Sequence, residues 1–154
     1  SLPAVSPSME DGPLGYQKKL TAMAKKIFIL GCGGAALKYG KEITNEEELL
    51  GLLANIIIDV YGMESGLLRA QKALEKDGEE KAKLKIAMTQ VFVNEAMKRI
   101  EDNATQALVY METGDVLTTQ LSALKKMARL TPMNTVAAKR RIADAVIAAE
   151  KFIC

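Results

Sequence analysis

The segment from Asn45 to Lys76 constrains the fold more than any other part of the chain. It reads NEEELLGLLANIIIDVYGMESGLLRAQKALEK, and its apolar residues recur every three or four positions while also filling much of the remaining circumference of a helix. A helix that is apolar on so much of its surface must be covered by other protein elements. The chain is therefore expected to fold into a domain in which this helix lies near the centre.

The repeat within this helix predicts which side chains form its buried face: Leu49, Leu53, Ile56, Val60, Met63, Leu67, Ala70 and Leu74. Thr44 followed three residues later by Glu47 is the pattern of a capping box, in which two side chains bond to free backbone N–H groups of the first turn. We expect a sharp start at Asn45 and an end at Asp77 and Gly78.

Four further helices are predicted from the same periodicity, over residues 13–39, 79–112, 116–130 and 136–152. The expected buried face of the first contains Tyr16, Leu20, Met23, Ile27, Leu30, Gly34 and Leu37. That of the 79–112 helix contains Leu84, Met88, Val91, Phe92, Ile100, Ala104, Ala107 and Met111. Asp115 is the expected cap of the fourth helix, and Asn134 or Thr135 that of the fifth.

The fold class follows from these elements. No segment alternates with a period of two for long enough to predict a strand, and short turns between long helices favour antiparallel neighbours. The prediction is an all-α, up-and-down antiparallel bundle of about five helices, formed by residues 13–154. Residues 1–12, with two prolines, three serines and no periodic apolar pattern, are expected to be a flexible lead-in or an interdomain linker.

Composition limits the chemistry that the chain can perform. It contains no histidine, so the commonest general base and the commonest zinc ligand are both absent. Lys and Arg number 21 against 19 for Asp and Glu, a balance that gives no support for a nucleic-acid partner. Two cysteines in 154 residues are typical of a reduced, cytoplasmic protein. The longest apolar runs, at 27–37 and 49–58, are too short and too interrupted for a membrane span, so a soluble protein is expected.

Several motifs invite a functional interpretation, and each has a simpler structural one. The run Gly31-Cys32-Gly33-Gly34 resembles a phosphate-binding loop only in composition, because it lies inside a helical repeat and lacks the spacing of such loops. Close helix packing is the favoured interpretation. The two acidic clusters, at 46–48 and 77–80, stand at predicted helix ends, where they stabilise the helix dipole. Cys32 is expected to be a small core residue.

Two polar groups leave alternatives open. Asn55 and Asp59 stand one turn apart in the apolar helix and either bond to a neighbouring helix or domain or belong to a narrow solvent-facing stripe, the favoured alternative. The basic residues Lys125, Lys126, Arg129, Lys139, Arg140 and Arg141 suggest in turn a solvated or interdomain face, contact with an anionic membrane, or a DNA-binding helix-turn-helix, in decreasing order of support. No catalytic, cofactor-binding or metal-binding residue is predicted in this chain.

The apolar helix and its flanks also resemble a known family. The stretch KYGKEITNEEEL, then LLANIIIDVYGMESGLLRAQKAL, then VFVNEAMKRIEDNA resembles the C-terminal extension of acyl-CoA dehydrogenases of the very-long-chain type. The matching positions are Lys41, Ile43, Asn45 and Glu46, then Ile58, Asp59, Tyr61 and Met63, then Arg69 and Ala70. The closing TPMNTVAAKRRIADAVIAAEKF is similar to the last helix of bacterial members, so that the likeness covers residues 14–153.

This resemblance implies a parent enzyme that uses FAD to introduce a trans double bond into a fatty acyl-CoA, the first step of β-oxidation. It implies that the present chain is a non-catalytic helical domain that binds no cofactor itself and that packs on and stabilises the catalytic core of the same polypeptide. A homo-oligomeric parent and a peripheral membrane contact are further implications. The alternative is a freestanding helical module that binds a partner helix or a membrane surface.

Overall fold

The computed structural model describes residues 12–129 and 135–153. Five α-helices occur in these ranges: α1 (Gly15–Tyr39), α2 (Glu47–Asp77), α3 (Glu79–Met111), α4 (Gly114–Ala128) and α5 (Thr135–Ile153). A short 3-10 helix, Gly40–Asn45, connects α1 to α2. The described residues contain no strand, and the predicted all-α class is confirmed. The predicted lead-in lies outside the described residues except for Gly12.

α2 and α3 form an antiparallel pair that is joined by Gly78 alone. The backbone there has a φ of 83°, a value that glycine adopts without the steric conflict that a Cβ atom would cause. Along the pair, the Arg99 guanidinium donates two-pronged hydrogen bonds to the Asp59 carboxylate, with the shortest N–O distance 2.9 Å, and Asn55 donates to Asn103 at 3.3 Å. Asn55 and Asp59 thus bond to a neighbouring helix, as the first alternative had it, and they do so at the surface, where Asn55 is exposed and Asp59 is half-buried.

The other helices follow the up-and-down order. α1 runs antiparallel to α2, as shown by the Lys25 to Glu64 ion pair at 2.7 Å. It runs parallel to α3, because Gln90 donates to the Pro13 carbonyl at one end of α1 and Lys38 donates to the Met111 carbonyl at the other. α4 returns along α3, where Arg129 lies 3.5 Å from Glu101.

α3 contacts each of the other four α-helices and is the centre of the bundle. The main core forms where α1, α2, α3 and α4 meet, and its most deeply buried large side chains include Leu20, Leu49, Ile56, Met63 and Ile100. A smaller cluster at the other end contains Leu14, Leu67, Ala70, Ala82 and Ile86. α5 packs on α3, and the described side chains from 139 to 151 are exposed except for the half-buried Ile142.

The predicted faces are confirmed for α2 and only in part for α1 and α3. Seven of the eight expected residues of α2 are buried, and Leu74 is half-buried. In the first half of α3 the helix is turned so that Leu84, Met88 and Phe92 are exposed and Ala82, Ile86, Thr89 and Val93 are buried. Apolar residues recur with the helical period on both sides of that segment, so only the position of the packing partners decides which side is buried.

The predicted caps were wrong for α2 and α4. Thr44 lies within the 3-10 helix, Glu46 immediately precedes α2, and no side chain caps the first turn. The 3-10 helix leads the backbone directly into α2, with the Glu46 N–H bonded to the Ile43 carbonyl, so the turn forms without the Thr44 hydroxyl. α4 begins at Gly114 rather than after Asp115. Asn134 lies outside the described residues, and Thr135 begins α5.

Two isoleucines of α2 differ in burial but not in residue type, so substitutions there isolate the effect of burial on stability. Ile56 is 1% exposed and Ile58, half a turn away, is 67% exposed. We expect Ile56→Ala to destabilise the chain by about 2 to 5 kcal/mol through a lost contact and a cavity, and Ile58→Ala to change the free energy of unfolding by less than about 0.5 kcal/mol. Urea denaturation of both variants measures the difference, and equal effects would show that α2 is not central to the fold.

A second prediction concerns the contact between the start of α2 and the end of α3. The Tyr110 hydroxyl donates to the Glu46 carboxylate, and this bond, with nearby negative charge, raises the pKa of Tyr110 from 10.0 to about 12. A raised tyrosine pKa means that the neutral phenol is favoured in the folded state. The resulting stabilisation is complete below pH 10 and is lost as the pH rises from 10 toward 12.

Phenolate absorbance, read as the difference between the chain and its Tyr110→Phe variant, gives this pKa directly. Glu46→Gln should lower the Tyr110 midpoint toward its ordinary value. Glu42→Gln is the matched control, because Glu42 bonds to Asn45 at 2.7 Å and not to Tyr110. An unchanged midpoint in Glu46→Gln would contradict the assignment of the hydrogen bond.

Candidate functional site

A cavity of about 230 Å³ lies among α1, α2, α3 and α4, and we call it the central cavity. Its walls are mainly aliphatic or thioether side chains, with Ile27, Leu30, Leu53, Ile56, Ala104, Ala107, Leu108, Met111, Ala123, Leu124 and Met127 as members, together with Gly31 and Gly34. An apolar cavity of this size is larger than the voids that close packing normally leaves in a protein core.

The mouth of the central cavity lies between α1 and α4. The wall residues Leu30, Gly34 and Ala123 are exposed to solvent, whereas Ile56 and Ala107 at the opposite wall are buried. Leu37, one turn beyond Gly34, is 91% exposed. Leu30 and Leu37 were expected to be core residues, and both are exposed: Leu30 lines the opening, whereas Leu37 lies outside the lining of the cavity.

One end of the cavity is polar. The Gln120 side chain lines it, and its Oε1 atom is buried without a hydrogen-bond partner. Glu112, which is half-buried, is the other polar residue of the lining. A buried acceptor without a partner costs about 1 to 3 kcal/mol, so a bound group that donates to Gln120 would be stabilised there.

Within the glycine motif of α1, one glycine packs closely against α2 and two have open space beside them. A Cβ atom on Gly31 would lie 3.2 Å from the Leu53 side chain, which confirms close helix packing at this position. The same atom on Gly33 or Gly34 would meet nothing within 4 Å, so the expected close packing was wrong for these two residues. The whole motif lies inside α1, where intrahelical bonds occupy its N–H groups, and it offers no cradle for a phosphate.

The remaining candidates take structural roles. Cys32 is half-buried against the main core, and burial raises the pKa of its thiol, which disfavours the reactive thiolate. Arg129 pairs with Glu101 and Lys139 with Glu95, so two members of the basic group hold α4 and α5 to α3. The bond to Lys139 lowers the pKa of Glu95. In the described part of the chain, no three His, Cys, Asp or Glu side chains are placed to bind a metal ion.

The second surface of interest is an exposed apolar face on the outside of the α1–α2 pair. We call it the outer face, and its members are Ile29, Leu50, Ile57, Ile58, Tyr61 and Leu68. The α2 members recur at helical spacing on the side away from the main core. The register set by the Lys25 to Glu64 pair places Ile29 level with Val60, next to Tyr61 of the outer face. Apolar patches of this kind on soluble proteins usually mark an interaction surface.

The same two helices bear on the question of a membrane. Gly15–Asn45 and Glu47–Asp77 contain windows with mean hydropathy of 1.4 and 1.3, long and apolar enough to cross a membrane by composition alone. The expectation drawn from uninterrupted runs is therefore not confirmed. Mostly buried core helices of globular proteins meet the same criterion; α1 and α2 pack on each other and on α3, and 28% of each window is buried.

Sequence reasoning missed the central cavity and treated the apolar circumference of α2 as wholly covered. Gly34 was the only sequence signal for the cavity, since a small residue within an apolar repeat leaves space beside a helix. The position of Gln120 could not be derived, because its role depends on the packing of α4 against α1. The signal for the outer face was present in Leu50, Ile57, Ile58 and Leu68, which lie outside the regular buried repeat.

Comparisons with known proteins agree on one family. The family model described as "Acyl-CoA dehydrogenase, C-terminal domain" matches residues 23–126. A protein of Bacillus subtilis (strain 168) described as a probable acyl-CoA dehydrogenase is 45% identical over 92% of this chain. The crystal structure of an acyl-CoA dehydrogenase complexed with FAD from Bacillus anthracis is 44% identical, with a TM-score of 0.88 over 91% of this chain. The chain spans 24% of the length of each relative.

Alanine substitutions in the glycine motif test which glycines pack closely against a neighbour and which have open space beside them. Gly33→Ala and Gly34→Ala should each stabilise the chain by about 0.4 to 1 kcal/mol, because alanine is favoured over glycine in a helix and finds free space here. Gly31→Ala should gain less or destabilise, since Leu53 must move. Thermal unfolding of the three variants gives the order. Equal stabilisation by all three would contradict the close contact at Gly31.

Proposed function

The chain belongs to the family of acyl-CoA dehydrogenase C-terminal domains, and from this premise we propose that it is the non-catalytic helical domain of a larger FAD-dependent acyl-CoA dehydrogenase. In that role it packs on the catalytic core of the same polypeptide and stabilises it. The observation that carries the proposal is the match of almost the whole chain, at 45% identity, to about a quarter of a probable acyl-CoA dehydrogenase.

The outer face supports the packing role. Six large apolar side chains on α1 and α2 are exposed in the chain by itself, and contact with another folded part of the polypeptide would remove them from water. Because three quarters of each relative lies beyond the matched part, a covering element in the same polypeptide is available in such proteins.

The described residues do not fit FAD themselves. The Gly31 to Gly34 motif presents no free N–H groups to a pyrophosphate, and the wall of the central cavity contains no basic side chain to neutralise one. We therefore assign flavin binding to the catalytic core of the parent and derive no step of the reaction from this chain.

We propose that the parent is an enzyme of the very-long-chain type and that it oxidises a fatty acyl-CoA in β-oxidation. A cytoplasmic location, assembly into a homo-oligomer and a peripheral membrane contact belong to the same proposal. They rest on the sequence resemblance described above.

The test uses the protein translated from the whole reading frame that contains these 154 residues. We expect it to bind flavin and to reduce an electron acceptor when acyl-CoA is added, whereas the 154-residue chain should fold without flavin and show no such activity. A start codon just upstream of residue 1 would favour the freestanding module and contradict the proposal, as would a full-length protein without flavin.

Two lysine variants test the docking surface. Ile58→Lys lies on the outer face and Ile147→Lys is the matched control on α5, and both isoleucines are exposed. In the 154-residue chain both variants should keep the wild-type melting temperature to within a few degrees. In the full-length enzyme only Ile58→Lys should lower it and speed proteolytic release of this domain. Equal behaviour of the two variants would contradict docking through the outer face.

A further inference from the structure

We propose that the central cavity is a binding site for a neutral amphiphile, an unbranched aliphatic chain that carries a hydrogen-bond donor at one end. The inference rests on the size, shape and lining of the cavity, and it does not depend on the proposed role of the domain.

The volume sets the size of the ligand. An engineered protein cavity of about 150 Å³ takes up benzene, which has six carbon atoms. By proportion, a cavity of about 230 Å³ holds about nine non-hydrogen atoms. Octan-1-ol has this number.

The shape favours a chain over a ring. The lining residues extend from Ile27 to Gly34 on α1 and from Ala104 to Glu112 on α3. At the helical rise of 1.5 Å per residue, these spans are about 10 to 12 Å long and run side by side. The space is therefore elongated along the bundle axis, and the flexible side chains of Met111 and Met127 can adapt to an aliphatic chain within it.

The polar groups orient the ligand and select its head group. The contact between Arg129 and Glu101 sets the register of α4 on α3 and places Gln120 near the level of Met111, at the same end as Glu112. A hydroxyl at this end donates its hydrogen to the unpartnered Oε1 atom of Gln120. Glu112 is the one charged residue of the lining, and its negative charge disfavours an anionic head group, so the site should prefer an alcohol to a carboxylate of equal size.

The test measures binding of octan-1-ol and of heptanoate, which has the same number of non-hydrogen atoms. The probe is the 154-residue chain with isotope-labelled methionine methyl groups. Octan-1-ol should shift the signals of Met111 and Met127, which line the cavity, and leave those of the core residues Met63 and Met97 unchanged. Heptanoate should bind at least tenfold more weakly. No shift up to the solubility of octan-1-ol, or equal binding of the two compounds, would overturn the proposal.

A matched pair of glycine variants locates the site. Gly34→Leu projects a side chain into the cavity, whereas Gly33→Leu makes the same change one residue away, where no cavity wall is formed. Binding should be lost in Gly34→Leu and kept in Gly33→Leu. If both variants lose it while their helical circular dichroism is unchanged, the cavity is not the site.

Gln120→Leu is a further test variant, and it does not fill the cavity. It should weaken octan-1-ol binding about tenfold, because the ligand hydroxyl then has no partner, and it should leave the melting temperature of the free chain unchanged or raised. This arm decides the question if Gly34→Leu fails to fold. Wild-type affinity in Gln120→Leu would overturn the assigned role of the amide.

Discussion

The packing of α2 against α1 and α3 is the interaction on which the rest of the structure depends. α2 supplies seven buried residues along one side, and the large side chains of Leu49, Ile56 and Met63 are among those with less than 2% of their surface exposed. Full burial of side chains of this size contributes about 1.5 to 3 kcal/mol each. Because Gly78 alone connects α2 to α3, this face can be covered by α3 only in an antiparallel arrangement, and α1 and α4 then close the remaining sides.

The same helix explains why the domain is suited to a larger assembly. A soluble helix usually has an apolar side for the core and a polar side for water. In α2 the buried side is satisfied within the bundle, while Ile57, Ile58 and Tyr61 place a second apolar surface outside it. The bonds from Asn55 and Asp59 to α3 lie between the two surfaces and fix the rotation of the helix. One helix thus organises the fold and also presents the surface that we propose for docking.

The sequence predicted the class of fold, the number of helices and the buried face of α2, because a long and regular apolar repeat leaves a single way to place that helix. It predicted the first half of α3 wrongly, since Leu84 and Ile86 both satisfy a helical period and only tertiary contacts choose between them. The Thr44 cap failed for a different reason: the 3-10 helix before α2 carries the chain into its first turn by backbone bonds. The cavity depends on how four helices meet, and no local pattern encodes it.

The outer face and the central cavity are alike in physical terms, but different partners can cover them. Both leave apolar surface incompletely packed, and a void of about 230 Å³ would destabilise a closed core by several kcal/mol. Contact with another folded domain can cover the outer face. The cavity opens at a different place, between α1 and α4, where Leu30, Gly34 and Ala123 are exposed. A side chain larger than glycine at position 34 would fill part of this space without conflict with its surroundings. The open space at Gly34 and the unpartnered Oε1 atom of Gln120 are the two features that the proposed ligand would satisfy together.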